Sequence, residues 1–287
     1  MFDFLITPQQ LQARLERPDC LVFDVRHDLA DHHAGQRAYE HGHIPGALFL
    51  DHENDLAAPK TGLNGRHPLP TRQELAALMR LKGLTSSMQV VVYDAQGGLF
   101  ASHVWWMLRW LGHEHVAILD GGWQAWQAAG GPVQTGQRQP SVSEAQAVQS
   151  LNLPSQAAMP TVQVAQVLAN IAKPVFTVLD ARAPERYRGE IEPMDPVAGH
   201  IPGALNRSHQ NNLDAQGRFK PVAQLREEFT VLLGGVPAAQ VVHQCGSGIT
   251  ACHNLFAMEL AGLKGSHLYP GSWSEWVSDP ARPVARA

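Results

Sequence analysis

The sequence predicts an α/β protein built from two copies of one domain, each a mostly parallel β-sheet with helices on both faces. Three observations predict it. The chain has 287 residues, 44% hydrophobic and 17% charged, which is longer than a common single domain and apolar enough for two cores. An ordered set of sequence blocks occurs twice. Short apolar runs alternate with amphipathic stretches, the pattern of buried parallel strands joined by helices.

The repeat fixes the layout. Leu21-Val22-Phe23-Asp24-Val25-Arg26 is matched by Thr177-Val178-Leu179-Asp180-Ala181-Arg182, and Gly42-His43-Ile44-Pro45-Gly46-Ala47 returns unchanged as Gly199-His200-Ile201-Pro202-Gly203-Ala204. Val91-Val92-Tyr93-Asp94 answers to Val242-His243-Gln244-Cys245, and Gly121-Gly122-Trp123-Gln124-Ala125-Trp126 to Gly271-Ser272-Trp273-Ser274-Glu275-Trp276. The register between copies drifts slowly, as expected of a duplicated domain with short loop insertions. Residues 1–132 form the first domain and 161–287 the second. Residues 133–160, rich in Gln, Ser, Ala and Pro without a sustained apolar period, read as a linker.

Within each copy a helix opened by Thr7 or Thr161 as N-cap leads into an apolar strand, Leu21 to Val25 and Phe176 to Ala181. Helices over Arg72 to Leu81 and Ala223 to Leu233 precede β-branched runs, Gln89 to Tyr93 and Gln240 to His243. Ligands are expected beyond the carboxyl ends of such strands.

The net charge of −4, with no Lys/Arg-rich run interleaved with aromatics, argues against a nucleic-acid partner. Residues Met1 to Leu15 lack a basic segment followed by an apolar one, and no apolar stretch spans a bilayer, so no membrane partner and a cytoplasmic location are expected. Three cysteines, Cys20, Cys245 and Cys252, fit a reducing compartment better than a disulfide framework. The 15 histidines form no HExxH, and no CxxC is present, so neither a metal nor an organic cofactor is expected.

The chemistry concentrates in one loop. The strand ending at Gln244 runs into Cys245-Gly246-Ser247-Gly248-Ile249-Thr250-Ala251 and then into a helical pattern from Cys252 to Leu260. Two glycines let successive backbone N–H groups point into one concavity, and the helix adds the positive end of its dipole. A nest of this kind holds an anion: for a cysteine it favours the reactive thiolate, and it equally suits a persulfide. The first copy has Asp94-Ala95-Gln96-Gly97-Gly98-Leu99-Phe100-Ala101 there, one residue longer, and has no thiol to offer. It is expected to be chemically silent and to close the cleft over the other copy. Cys252 reads as a packed small hydrophobe and Cys20 as structural. Trp123, Trp126, Trp273 and Trp276 read as core aromatics, and His43 and His200 as hydrogen-bonded within their turns.

The paired His-Ile-Pro-Gly-Ala motifs, the Asp in the first loop and the Gly-Ser-Trp-x-Glu-Trp near the end resemble the two-domain rhodanese-like sulfurtransferases over nearly the whole chain. Cys-Gly-Ser-Gly-Ile-Thr is similar to the loop of members that use 3-mercaptopyruvate, whereas thiosulfate-using members carry basic residues directly after the cysteine. The resemblance implies sulfur transfer through a persulfide on Cys245 to a thiol, thioredoxin or cyanide, with no cofactor. It implies a loop of Gly246, Gly248, Ile249 and Thr250 around the sulfur and Arg186 on the donor carboxylate. A second Arg usual in the family is replaced by Met194, for which Arg188 or Arg182 is a candidate substitute. Ser247, His67 and Glu53 occupy the places of a proton-transfer group. Thiosulfate as donor, and a non-catalytic sulfur carrier or redox sensor, stay open as alternatives. A cysteine phosphatase needs an Arg six positions after the Cys, where Ala251 stands. Cys245, Cys252 and His253 lack the spacing of a zinc module.

Overall fold

The computed structural model describes residues 1–138 and 157–287; the expected linker, 133–160, falls mostly outside them. The chain forms two compact units. The first comprises Met1–Ala57 and Pro70–Ala158; the second comprises Ala58–Leu69 and Met159–Ala287. The segment 58–69 thus packs with the second unit although it lies in the middle of the first copy, a membership that a single boundary at residue 132 does not express.

The first unit carries a five-stranded, all-parallel sheet of β1 (Leu5–Ile6), β2 (Cys20–Asp24), β3 (Leu48–Phe49), β4 (Gln89–Tyr93) and β5 (Val116–Leu119), in the order β1-β5-β4-β2-β3. Its helices are α1 (Pro8–Gln12), α2 (Ala34–His41), α3 (Arg72–Leu81), α4 (Ala101–Leu111) and α5 (Gly122–Ala128). β4 is buried at every position, as a central parallel strand must be. Thr7 caps α1 through a reciprocal box with Gln10, and Thr71 caps α3 with Glu74. The core gathers Val22, Ile44, Val91, Tyr93, Leu119 and Trp126.

The second unit repeats the pattern with four parallel strands, β6 (Thr177–Asp180), β7 (Leu205–Asn206), β8 (Val241–Gln244) and β9 (His267–Leu268), ordered β7-β6-β8-β9. Its helices are α6 (Val164–Ala172), α7 (Pro184–Arg188), α8 (Val222–Leu233), α9 (Ala251–Leu260) and α10 (Ser272–Trp276). Here Thr161 is not the N-cap. Gln163 holds that place in a box with Gln166, and Thr161 instead makes a parallel bridge to Leu268, the counterpart of β1 on β5. The edge-strand contact takes the threonine that local sequence alone would assign to the helix. Val178, Ile201, Val242, Trp273 and Trp276 fill the core.

The duplication extends to buried polar detail. Arg26 clamps Asp24 and reaches the Gly42 carbonyl at 2.6 Å, its guanidinium 4.5 Å from the Trp123 ring centre. Arg182 does the same with Asp180, Gly199 O at 2.7 Å and Trp273 at 4.6 Å. His43 and His200 each bond through Nδ1 at 2.8 Å to the carbonyl of a stacked tyrosine, Tyr39 and Tyr187. Trp126 and Trp276 both donate to proline carbonyls at 2.9 Å. Arg182 thus performs the task Arg26 performs in a copy without a nucleophile, and it also bonds Glu192 at 3.3 Å.

Candidate functional site

β6 and β8 lie side by side in register, Asp180 opposite Gln244, so the loop after Gln244 emerges at the carboxyl edge of the sheet. Cys245 is the first residue of that loop and is buried, as are Gly246, Ser247, Gly248 and Ile249. Of the two glycines only Gly248 has a positive φ, +91°, and a β-carbon there would meet the Pro270 carbonyl at 2.5 Å. The turn leads into α9, whose N-terminal dipole end lies behind the loop. Cys252, one turn further on, bonds through Sγ to Gly248 O at 3.4 Å, and burial pushes its thiol far above the ordinary range, which fits packing and not reactivity.

The two copies treat the same loop in opposite ways. In the first unit the fully buried Asp94 carboxylate accepts from the N–H groups of Gln96, Gly98, Phe100 and Ala101 at 2.8 to 3.0 Å, so the nest is filled by the chain's own anion. Burial pushes the Asp94 carboxyl upward in pKa against the pull of those amides. In the second unit none of the backbone N–H groups from Gly246 to Thr250 donates to another described residue. Those amides follow the buried Cys245 thiol along the loop. Buried N–H groups without protein partners are rare, and a run of them marks a place built for an anion.

Around the loop stand groups from distant parts of the second unit. The Ser247 hydroxyl lies 2.8 Å from His67 Nδ1, both side chains buried. Arg186, on α7, bonds Glu192 at 2.5 and 3.3 Å, and its Nη1 lies 3.9 Å from Met194 Sδ. A β-carbon on Gly246 would lie 3.7 Å from both Nη atoms of Arg186 and 2.8 Å from Nη2 of Arg66. Arg188 turns to Glu190 at 2.7 and 2.9 Å on the surface. Glu53 belongs to the first unit, where its carboxylate faces His32 at 3.5 Å; His27, His32 and Glu53 place ligand-type atoms within 4.8 Å of one another, a grouping no sequence motif announced.

Two residues at the loop escaped the sequence reading. Arg66 stands next to His67 yet carried no spacing that tied it to the cysteine. Ser272 did leave a signal: it replaces Gly122 of the first copy at a place requiring positive φ, +59° for the glycine and +53° for the serine. A serine kept there against backbone preference points to a use for its hydroxyl.

Fold and loop together define a tandem α/β protein with a cysteine at the base of an anion-holding turn in its second copy. The family model for the rhodanese-like domain matches residues 7–129 and again 163–279. The chain belongs to the rhodanese-like sulfurtransferases. It is 48% identical over 283 residues to a probable 3-mercaptopyruvate sulfurtransferase of Pseudomonas aeruginosa, covering 98% of this chain and 97% of that one. It is 38% identical over 286 residues to a putative thiosulfate sulfurtransferase, SseB, of Mycobacterium tuberculosis, covering 98% and 96%. Among solved structures it resembles Escherichia coli SseA, a 3-mercaptopyruvate sulfotransferase, with a TM-score of 0.79 and 28% identity over 95% of this chain and 99% of that one. The protein is therefore a sulfurtransferase, an enzyme that takes a sulfur donor and a sulfur acceptor. Among the described residues no helix is long and apolar enough to cross a membrane.

Proposed function

We propose that the enzyme moves sulfur from 3-mercaptopyruvate through a persulfide on Cys245. The single observation that carries the reading is the contrast between the Asp94 loop, whose amides hold a carboxylate, and the Cys245 loop, whose amides from Gly246 to Thr250 donate to no described protein group. The Cys245 thiolate attacks the donor sulfur, the carbon–sulfur bond breaks, and its electron pair leaves as the enolate of pyruvate. The proton of the donor thiol ends on that enolate, and the outer sulfur of Cys245 is left as a persulfide anion held by the amides of Gly246, Gly248, Ile249 and Thr250. An acceptor thiol, thioredoxin or cyanide then takes the outer sulfur and returns the thiolate. No cofactor enters this scheme.

The 2.8 Å contact of Ser247 with His67 supports a proton relay between donor and enolate. Arg186 is assigned to the donor carboxylate, and Arg188, engaged with Glu190, to a subsidiary place on the surface. Glu53 joins the relay by family correspondence alone. Domains 1–132 and 161–287 are assigned as the silent and the active copy.

Mixing the protein with 3-mercaptopyruvate is expected to add the mass of one sulfur atom to the peptide containing Cys245 and to release pyruvate. Full turnover with that peptide unmodified, or unimpaired turnover by Cys245→Ser, would falsify the reading. The name of the mycobacterial relative makes thiosulfate the second donor to measure in parallel; a higher kcat/KM for thiosulfate overturns the donor and leaves the persulfide in place.

A further inference from the structure

We propose that Arg66 is a specificity-determining residue, supplying the second guanidinium of a two-arginine cradle for the donor carboxylate. The proposal rests on the reading of Cys245 as the sulfur-accepting residue. Arg66 comes from segment 58–69, which belongs to the same compact unit as the loop. Its backbone N–H donates to the Ser274 hydroxyl at 3.0 Å, and Ser274 N in turn donates to Gly246 O at 2.9 Å, so the segment is tied to the loop on which it acts. The Arg66 guanidinium pairs through Nη1 with Asp195, leaving Nη2 against Gly246. Its buried Nε has no hydrogen-bond partner.

Donor accounting assigns the pair its use. Arg186 directs Nε and Nη2 to Glu192 and keeps Nη1 beside Met194 Sδ, a weak acceptor. Each guanidinium therefore retains N–H groups close to Gly246, one residue from the nucleophile. The carboxylate of an α-keto thiol is separated from its sulfur by two carbons, so a donor with its sulfur at Cys245 places its charge near Gly246. Guanidinium forks fit a carboxylate there better than a single point charge. Asp195, 3.5 Å from Arg186 Nη2 as well, pairs with both cations. Met194, next to Asp195, leaves the cradle without a cation from its own segment, and Arg66 delivers it from the other side of the loop.

The test compares wild type, Arg66→Ala, Arg66→Lys and the double variant Arg66→Ala with Met194→Arg, measuring kinetics with 3-mercaptopyruvate and competitive inhibition by pyruvate, which has the carboxylate but no sulfur. Losing one charge-assisted contact should raise both KM and the pyruvate inhibition constant by about 10- to 100-fold, with a smaller change in kcat. Arg66→Lys should sit between, and Met194→Arg should bring both constants back toward wild type. A residue that only pinned segment 58–69 would lower kcat or Tm and leave pyruvate inhibition where it was. If Arg66→Ala is too unstable to assay, Arg66→Lys carries the same comparison. An unchanged pyruvate constant in the variant that folds, with Cys245 still gaining sulfur, overturns the proposal and spares the persulfide; no sulfur on Cys245 in wild type sinks the function itself.

Discussion

The Ser272 hydroxyl accepts a hydrogen bond from the Cys245 amide at 3.1 Å and donates to the Tyr269 carbonyl at 3.0 Å. One side chain thus sets the height of the nucleophile above the sheet, while Trp273 N holds the Cys245 carbonyl at 3.0 Å. Ser272 does this from a φ of +53°, where a non-glycine residue is strained. Ser272→Ala keeps the strain and orphans a buried N–H, a loss of about 1–3 kcal/mol in stability. Ser272→Gly orphans the same N–H and relieves the strain, recovering about 1 kcal/mol. Urea melts should rank wild type above Gly above Ala, whereas both variants should form the persulfide more slowly. Equal stability of the two variants would remove the strain from the account.

Gly246 and Gly248 flank Ser247, yet they answer to different constraints. A methyl on Gly248 meets the Pro270 backbone at 2.5 Å in a conformation with φ +91°, and nothing nearby can yield cheaply. Gly248→Ala is expected to cost about 3 kcal/mol or more, read as a loss of folded protein on heating. Gly246 has no such φ, and its methyl meets the far end of the flexible Arg66 side chain at 2.8 Å. Gly246→Ala should therefore fold normally and weaken donor binding, seen as a raised KM with an unchanged melt. The reverse pattern would mean that the loop geometry is misassigned.

The Asp94 nest offers a control within the same molecule. Asp94→Ala removes the carboxylate and leaves the N–H groups of Gln96, Gly98, Phe100 and Ala101 buried without an acceptor, a loss of about 3 kcal/mol or more. Because the gap has the size and charge preference of a small carboxylate, formate should raise the Tm of the variant in a concentration-dependent way and leave wild type unmoved. No differential rescue would mean the loop does not hold anions by its amides, and would weaken the persulfide argument for Cys245 with it.

What the sequence disclosed follows from which interactions are local. The parallel sheets were readable from apolar runs such as Gln89–Tyr93, found at those residues, because burial on both faces leaves a continuous hydrophobic signature. The duplication was readable because Asp24 with Arg26 and Asp180 with Arg182 are neighbours in sequence as well as in space. Arg66 was not. Its partner Asp195 is 129 residues away, and nothing in Gly65-Arg66-His67 encodes that the segment leaves its own copy for the other unit. Thr161 misled for the same reason, since its bridge to Leu268 is set by the sheet edge and not by the helix that follows.

His243, two residues before Cys245 on β8, ties the fold of the active copy to pH. Its ring is buried, Nε2 lies 3.1 Å from Ser266 Oγ, and burial first, then the neighbouring His267, lowers its pKa to about 3. His113 of the first unit is lowered in the same way, to about 4. In the unfolded chain both titrate near pH 6.5. Above that pH neither state binds the proton and the contribution to stability is complete; below it the unfolded chain gains protons that the folded chain refuses, so stability falls. The decline runs from about pH 6.5 toward 4 for His113 and toward 3 for His243. Replacing His243 with Gln, which can still bond Ser266, should flatten this acid limb without altering stability near pH 8 by more than about 1 kcal/mol. Denaturant melts at half-unit steps between pH 4 and 8 decide it: an acid limb as steep in His243→Gln as in wild type would place the proton uptake elsewhere.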